Sequence, residues 1–416
     1  MNTSRPVSNL VAAAPLDLSG YGEAGDAILA YEKAVGTRFV KSERAFIELM
    51  TKRHGKLFRR FEELEIPGGV HTDSFWEAKN QDVAFSIDYT IGHSGYLYKS
   101  FFERLHLLRP ESPTRILDVG CENGYVTCFL GALYPNAEVV GIDKIEAATK
   151  VGTELASRLA LKNVRFQCCD ITQLPSQFPV GYFDVIVGLA VFYILAEFPE
   201  PIESLKPLPE KVRELSIPTV VPWLKAVHEV LNPTGILLSA ERTSCPAILY
   251  FWSKLLQSQD LDIDWQRSGP ILFKEIVDFE RKTDQTIPFL FVRPGSPESS
   301  DGDVLKHVAA YELETQMVRN QGSQVFNGLH GETFFHMFNP KKFLEGREFH
   351  WHSGGVERLE FWECGPLLLR WMYTNLGGRE LTVFSANQMD AINSGFDEME
   401  GRTPDQGELR PLESSR

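Results

Sequence analysis

Three aspartates close short apolar runs in the middle of this chain: Asp118 in "RILDVG", Asp143 in "EVVGID" and Asp170 in "VRFQCCD". A carboxylate there can accept hydrogen bonds from hydroxyl or amino groups, the chemistry by which a nucleoside is held. Asp143 follows Asp118 by 25 residues (143 − 118) and suits the two hydroxyls of a ribose, as does the acid about 20 residues after a dinucleotide fingerprint. Asp170 suits an adenine amino group, with the Ile171 N–H meeting a ring nitrogen. Between the first two acids lies "ILDVGCENG" (116–124). Gly120 there permits a tight turn and Gly124 close packing of a helix on a strand, so the loop N–H groups are expected to face a ligand at a helix N-terminus. A fourth run, "FDVIVGL", brings backbone at Gly188 and Leu189 to the reacting end of such a ligand. Any one of these aspartates is equally well read as a cap on the turn that follows it. Three in this order are better explained by one mononucleotide-like ligand.

The elements needed to position them follow from the pattern. "TRILDVG" (114–120), "AEVVGID" (137–143), "VRFQCCD" (164–170), "FDVIVGL" (183–189) and "GILLSAE" (235–241) read as strands, with helical runs at 124–135, 145–161 and 219–231. This alternation predicts a mostly parallel sheet with helices on both faces, whose ligands bind outside the carboxyl ends of the strands. Ahead of it, residues 1–22 read as a flexible arm and 23–110 as a helical cap. Apolar residues recur at three- and four-residue steps over 26–65 with a break near Gly36, a turn covers 66–73, and a further helix covers 92–108. The core is placed at 111–295, its stretch 251–295 adding a helix and two closing strands. A Ser/Gly/Asp-rich linker (295–303) leads into a small α+β appendage over 296–390. The appendage has a helix at 304–321, strand-like runs "ETFFHMF", "REFHWHS", "ERLEFWE", "PLLLRWMYT" and "ELTVFSA", and "NLGG" as a hairpin turn. Residues 391–416 read as a polar tail that frays.

Bulk properties narrow the partners. The 416 residues carry 42 Lys and Arg against 56 Asp and Glu, a formal net charge of −14, with no basic block. Nucleic acid is therefore disfavoured, because phosphate contacts need clustered cations. Six cysteines form no CxxC pair, which fits reduced thiols in a cytoplasmic protein and no zinc site. The first residues lack a signal-peptide core, and no run approaches the roughly 18 apolar residues of a membrane span, so no membrane partner is expected.

With these motifs in place, the chain resembles the class I S-adenosylmethionine-dependent methyltransferases. "ILDVGCENG", "VVGID", "VRFQCCDI", "FDVIVGLAVFYIL" and "HEVLNPTGILLSAER" are similar to that family's successive motifs over roughly 112–295. The resemblance implies a Rossmann-like seven-stranded, mostly parallel α/β sheet with an antiparallel last strand, and S-adenosyl-L-methionine as cofactor. Asp118 and the loop residues Gly120, Cys121, Glu122 and Gly124 would hold the methionine moiety, Asp143 and Lys144 the ribose region, Asp170 and Ile171 the adenine, with Gly188 and Leu189 bordering the sulfonium. A dinucleotide dehydrogenase fits less well, since G-x-G-x-x-G is not met by glycines at 120 and 124 alone.

Methyl transfer needs alignment and, for an amine or hydroxyl acceptor, a base. Tyr193 and His93 rank first as catalytic candidates, ahead of Glu241, Arg242, Tyr89, Tyr96 and Tyr98, although tyrosines are more often packing residues and a histidine like His93 more often a helix-start or hydrogen-bonded one. His350 and His352 share a strand face but, lacking a fixed third ligand, read as ordinary histidines, and no metal is expected. The expected partner is a small-molecule methyl acceptor. A peptide acceptor and a non-catalytic module of the same fold are alternatives, and the aromatic-rich appendage reads first as core, with a dimer face or a pocket wall as further options. Glu122 occupies a place where glycine is usual. Its side chain is tolerable at negative φ, with the carboxylate directed to solvent or to the cofactor's ammonium group.

Overall fold

A computed structural model describes residues 14–64, 72–108, 112–192, 220–242, 246–276 and 282–297, and much of 299–412. It forms two compact units, one of Met1–Val191, Glu229–Ser239 and Phe273–Thr283, the other of Phe192–His228, Ala240–Leu272 and Asp284–Arg416.

Four helices open the first unit: α1 (Ala24–Val35), α2 (Glu43–Glu62), α3 (Asp73–Lys79) and α4 (Val83–Leu107). The break between α1 and α2 falls at Gly36, whose φ of 78° ends the first helix. Helix α4 begins nine residues (92 − 83) before the sequence predicts. Its start is set by Asp82, whose carboxylate accepts the Phe85 N–H at 2.8 Å and satisfies an amide that a helix start leaves open. The expected arm is corrected in its latter part. Leu16 and Leu18 donate backbone N–H groups to the Leu159 and Ala132 carbonyls at 3.2 and 2.8 Å, and the Leu18 side chain is buried, which outweighs the entropy of leaving it free.

The alternating region follows as β1 (Arg115–Val119), α5 (Tyr125–Leu133), β2 (Glu138–Asp143), α6 (Glu146–Arg158), β3 (Val164–Cys168), a 3-10 turn (Ile171–Gln173), α7 (Leu174–Gln177), β4 (Phe183–Leu189) and β5 (Leu231–Ala240). In the first unit the strand order is β3-β2-β1-β4-β5, with β1 parallel to β2 and β4, and β2 parallel to β3. The chain thus winds outward from β1 and returns to place β4 on its other side, a switch point of the kind that holds ligands. Helix α5, "YVTCFLGAL", is apolar on all sides and wholly buried. Residues 220–230 are helical as predicted, with Val220, Trp223, Leu224, Val227 and Val230 buried at helical spacing.

Strands β1 to β8 make up the mixed sheet, eight where the resemblance implies seven. In the second unit, α8 (Pro246–Gln257) leads to β6 (Leu261–Ile263), which pairs antiparallel with β8 (Lys282–Pro294). The extra strand is β7 (Gly269–Ile276), beside β8. It arises because the Asp264 carboxylate accepts the Gln266 and Arg267 N–H groups, a turn that cuts the run before it can continue.

The remaining strands are β9 (Ser323–Asn327), β10 (Lys342–Trp351), β11 (Val356–Cys364), β12 (Leu367–Thr374), β13 (Arg379–Ser385) and β14 (Gly407–Pro411). They form an antiparallel sheet in the order β14-β10-β11-β12-β13-β9. The "NLGG" turn joins β12 to β13, closed by the Thr374 N–H on the Gly378 carbonyl at 2.8 Å. Two expectations fail here. The described residues of "ETFFHMF" are helical, because Phe335 and Phe338, three apart, are both buried on one side, with Phe335 stacked on Trp371. The tail that was to fray supplies β14, whose backbone pairs with β10 from Arg347 to Trp351. His350 is held by Glu348, which also binds Arg358, a fixed structural role. Among the described residues no group of three His, Cys, Asp or Glu is placed to hold a metal, and no helix is long and apolar enough to cross a membrane.

Candidate functional site

Parallel register decides where the acids lie. Val119 stands opposite both Ile142 and Gly188, and Asp143 opposite Cys168, so the carboxyl ends of β1 to β4 open on one edge. Asp118, the 120–124 loop, Asp143, Asp170 and Gly188 all belong to that edge.

Asp143 is the partly buried carboxylate of the group. Its Oδ2 accepts the Glu122 N–H at 3.0 Å and its Oδ1 the Ile145 N–H at 2.9 Å, leaving further lone pairs for a ligand's hydroxyls. Burial raises its pKa, opposed by those two N–H groups. Asp170 caps the 3-10 turn: its Oδ1 accepts the Thr172 N–H and hydroxyl at 2.9 and 2.6 Å, so the capping role open to any of these acids is the one it plays locally. It is also exposed, with the other oxygen available, and Ile171 beside it is buried. Lys144 reaches away to Asp73, 2.7 Å from its Oδ1. Cys121 is buried, and its thiol is pushed well above its ordinary pKa by burial and the neighbouring Asp143 and Asp118.

Asp118 lies beneath the loop, 2% exposed, its Oδ2 accepting the Thr127 hydroxyl at 2.6 Å. Burial raises its pKa to about 7, above the roughly 3.9 of an unfolded chain. The folded state therefore binds the extra proton, so Asp118 contributes stability that is complete below the unfolded pKa and lost as pH rises through the folded one. Denaturant titrations are expected to show wild type losing stability relative to Asp118→Asn between about pH 4 and pH 8. A difference that stays constant over this window would refute the assignment.

Four amides of the loop turn to partners within the protein rather than toward a ligand as predicted. The Cys121 N–H goes to the Ile142 carbonyl, that of Gly124 to the Cys121 carbonyl, that of Tyr125 to Asn123 Oδ1, and that of Glu122 to Asp143. Gly120 (φ 65°) and Gly124 (φ 77°) both need the left-handed region. Glu122 does too, at φ 47°, against the negative φ expected of it. Its carboxylate is partly buried and paired: Lys79 Nζ lies 2.6 Å from Oε1, and the Thr90 hydroxyl is 3.4 Å away. The next residue, Asn123, donates to the Ser86 and Thr90 hydroxyls at 3.0 and 2.9 Å, and Ser86 donates to Asn80 Oδ1. The "EN" of the loop thus docks helices α3 and α4 onto it.

Sequence reading passes over Lys79, Ser86, Thr90 and Thr127. Asn123 sits inside the quoted loop, yet its partners lie 37 and 33 residues upstream, a pairing no local pattern carries. Of the proton-handling candidates, His93 is exposed on α4, its ring parallel to Tyr89 and its Nδ1 3.2 Å from Ser94 Oγ, and Tyr193 lies outside the described residues. Tyr89 packs among Phe46, Phe61 and Phe85, Tyr98 against Tyr125, and the Tyr96 hydroxyl donates to the Val40 carbonyl. These three serve the packing of the helices. Glu241 is buried in the second unit.

The nucleoside half of an adenosyl cofactor therefore fits residues present: an acceptor-rich Asp143 and an exposed Asp170 on neighbouring strands. The amino-acid half meets a loop whose Cys121, Glu122, Gly124 and Tyr125 amides are already engaged within the protein.

Residues 110–274 match a family model described as a methyltransferase domain. Malonyl-[acyl-carrier protein] O-methyltransferase of Bacillus anthracis is 37% identical over 94 residues, 23% of this chain and 33% of that protein. MTRF1L release factor glutamine methyltransferase of Homo sapiens is 26% identical over 198 residues, 47% of this chain and 56% of the relative. The chain spans only 33% and 32% of the length of the first two curated relatives it matches. Similar solved structures include a SAM dependent methyltransferase from Aquifex aeolicus, 16% identical with a TM-score of 0.30 over 43% of this chain and 81% of that one. Mitomycin 7-O-methyltransferase is 14% identical with a TM-score of 0.36 over 60% of this chain and 71% of that one.

Proposed function

We propose, on the premise that residues 110–274 are a class I S-adenosylmethionine-dependent methyltransferase domain, that this chain is an enzyme moving the donor's methyl group to a small-molecule acceptor by in-line displacement. The donor, when bound, supplies a methyl carbon on a sulfonium, so the protein's task is alignment and exclusion of water. The observation that carries the reading is Asp143: a carboxylate at the end of β2, each oxygen fixed by one backbone N–H and still able to accept a ribose hydroxyl. Asp170 and Ile171 are proposed to take the adenine, and Gly188 and Leu189 to border the sulfonium. Asp118 acts through Thr127 to hold the loop. His93, three residues beyond Thr90 on α4, and Tyr193 are the proposed proton acceptors. Residues 23–110 serve as cap and 111–295 as core, and the appendage runs from 296 through β14. A second reading, transfer to a protein side chain, draws support from the 198-residue similarity to the release factor glutamine methyltransferase.

Calorimetry with S-adenosylmethionine and S-adenosylhomocysteine is expected to show both binding, and a screened metabolite pool to gain one methylene's mass in a single compound. Absence of binding by either ligand would sink the reading. A gain seen only on polypeptides would move it to the second.

A further inference from the structure

The loop that should receive the methyl donor's amino-acid end has little to offer an anion. The N–H groups of Cys121, Glu122, Gly124 and Tyr125 are engaged within the protein, and the Asp143 carboxylate adds negative charge beside them. An α-carboxylate placed there needs a cation from a side chain. Helix α3 supplies one in Lys79, its ammonium 2.6 Å from Glu122 Oε1 and 5.2 and 5.3 Å from the ring centres of Trp76 and Tyr89. The aromatic faces favour a cation at this place, and the lysine side chain is only 8% exposed.

We propose that Lys79 and Glu122 together read the amino-acid end of the donor, Lys79 taking its carboxylate and Glu122 its ammonium. The inference rests on the donor reading above. Glu122 is placed for this by its own N–H, which is bonded to the ribose-site Asp143 and so sets its carboxylate beside the nucleoside. Its left-handed backbone, unusual for a glutamate, holds the side chain toward α3 and α4 rather than outward. An α-amino acid carries one charge of each sign, and an opposed ion pair is its complement. On binding, each protein charge exchanges its partner for one of the same sign, so neither is left buried and unpaired, the costly outcome for such a pair. Asn123, held by Ser86 and Thr90, keeps α4 seated while the exchange occurs.

The test is titration of the full chain with S-adenosylhomocysteine and with 5′-methylthioadenosine, which keeps the nucleoside and lacks the amino acid. Wild type is expected to prefer the first. Lys79→Met is expected to lose about 10- to 100-fold in affinity for S-adenosylhomocysteine while changing less than about 2-fold for methylthioadenosine. Glu122→Gln should follow the same pattern, and Lys79→Arg should keep the preference. Retained methylthioadenosine binding shows that each variant's site is folded. Equal loss of both ligands, or an unchanged preference in Lys79→Met, overturns the proposal. If wild type binds the two equally, this inference alone falls; if it binds neither, the donor reading falls with it.

Discussion

Asp143→Ala is expected to weaken S-adenosylhomocysteine binding by at least about 100-fold, since two hydrogen bonds to a charged acceptor contribute roughly 1.5–3 kcal/mol each. The carboxylate has two duties. Facing inward it accepts the Glu122 and Ile145 N–H groups, and facing outward it is the proposed acceptor of the ribose hydroxyls. Removing it leaves two amides short of partners, so a loss of about 1–3 kcal/mol in stability should accompany the loss of binding. Asp143→Asn separates the duties, because an amide oxygen still serves one N–H while the amide nitrogen meets a ribose hydroxyl with the wrong polarity. Calorimetric titration of both variants, with their denaturant midpoints, checks this. Unchanged affinity in Asp143→Ala would mean that the ribose sits elsewhere.

Gly124→Val should cost about 2–5 kcal/mol of stability. A side chain at its φ of 77° adopts a left-handed backbone, worth roughly 1–2 kcal/mol. A Cβ there would also stand 2.6 Å from Phe166 Cζ and 2.8 Å from the backbone Cα of Gly152, and overpacking of that kind adds roughly 1–3 kcal/mol. Backbone cannot swing aside as a flexible side chain does, so α5 must lift from α6 and β3. Gly181 is the control: its φ is 66°, and its nearest atom to an added Cβ is Pro233 Cδ at 3.4 Å. Gly181→Val therefore isolates the backbone strain and should lose less. Comparable losses at the two sites, measured by chemical unfolding, would show that close packing around Gly124 is not what requires glycine.

Much of the fold was legible because its causes are local. Alternating apolar runs and helical spacings gave the order of strands and helices from 114 to 241, and Gly36 marked the break between α1 and α2. The start of α4 was missed although Asp82 is an ordinary cap, since the run that follows it is apolar with no period to set its edge. "ETFFHMF" was misread because alternation and helical spacing coincide over so short a run of aromatics. The chain's last residues were dismissed on composition, yet a strand on a sheet edge draws its hold from backbone pairing, which composition does not report.

The site divides along the same line. By itself the sequence determined which acids reach one edge of the sheet, because an acid at the end of a strand is placed by the strand's own register and length: Asp118, Asp143 and Asp170 arrive there for that reason. Only the tertiary structure decided what each acid and amide of the loop is bonded to. Asp118 turned inward to Thr127, the Cys121 and Glu122 N–H groups went to Ile142 and Asp143 on the next strand, and Glu122 found Lys79 from 43 residues (122 − 79) away. Such partners are chosen through space, by burial and the need to pair every buried charge and donor, and those demands exist only once α3 and α4 have packed against the loop.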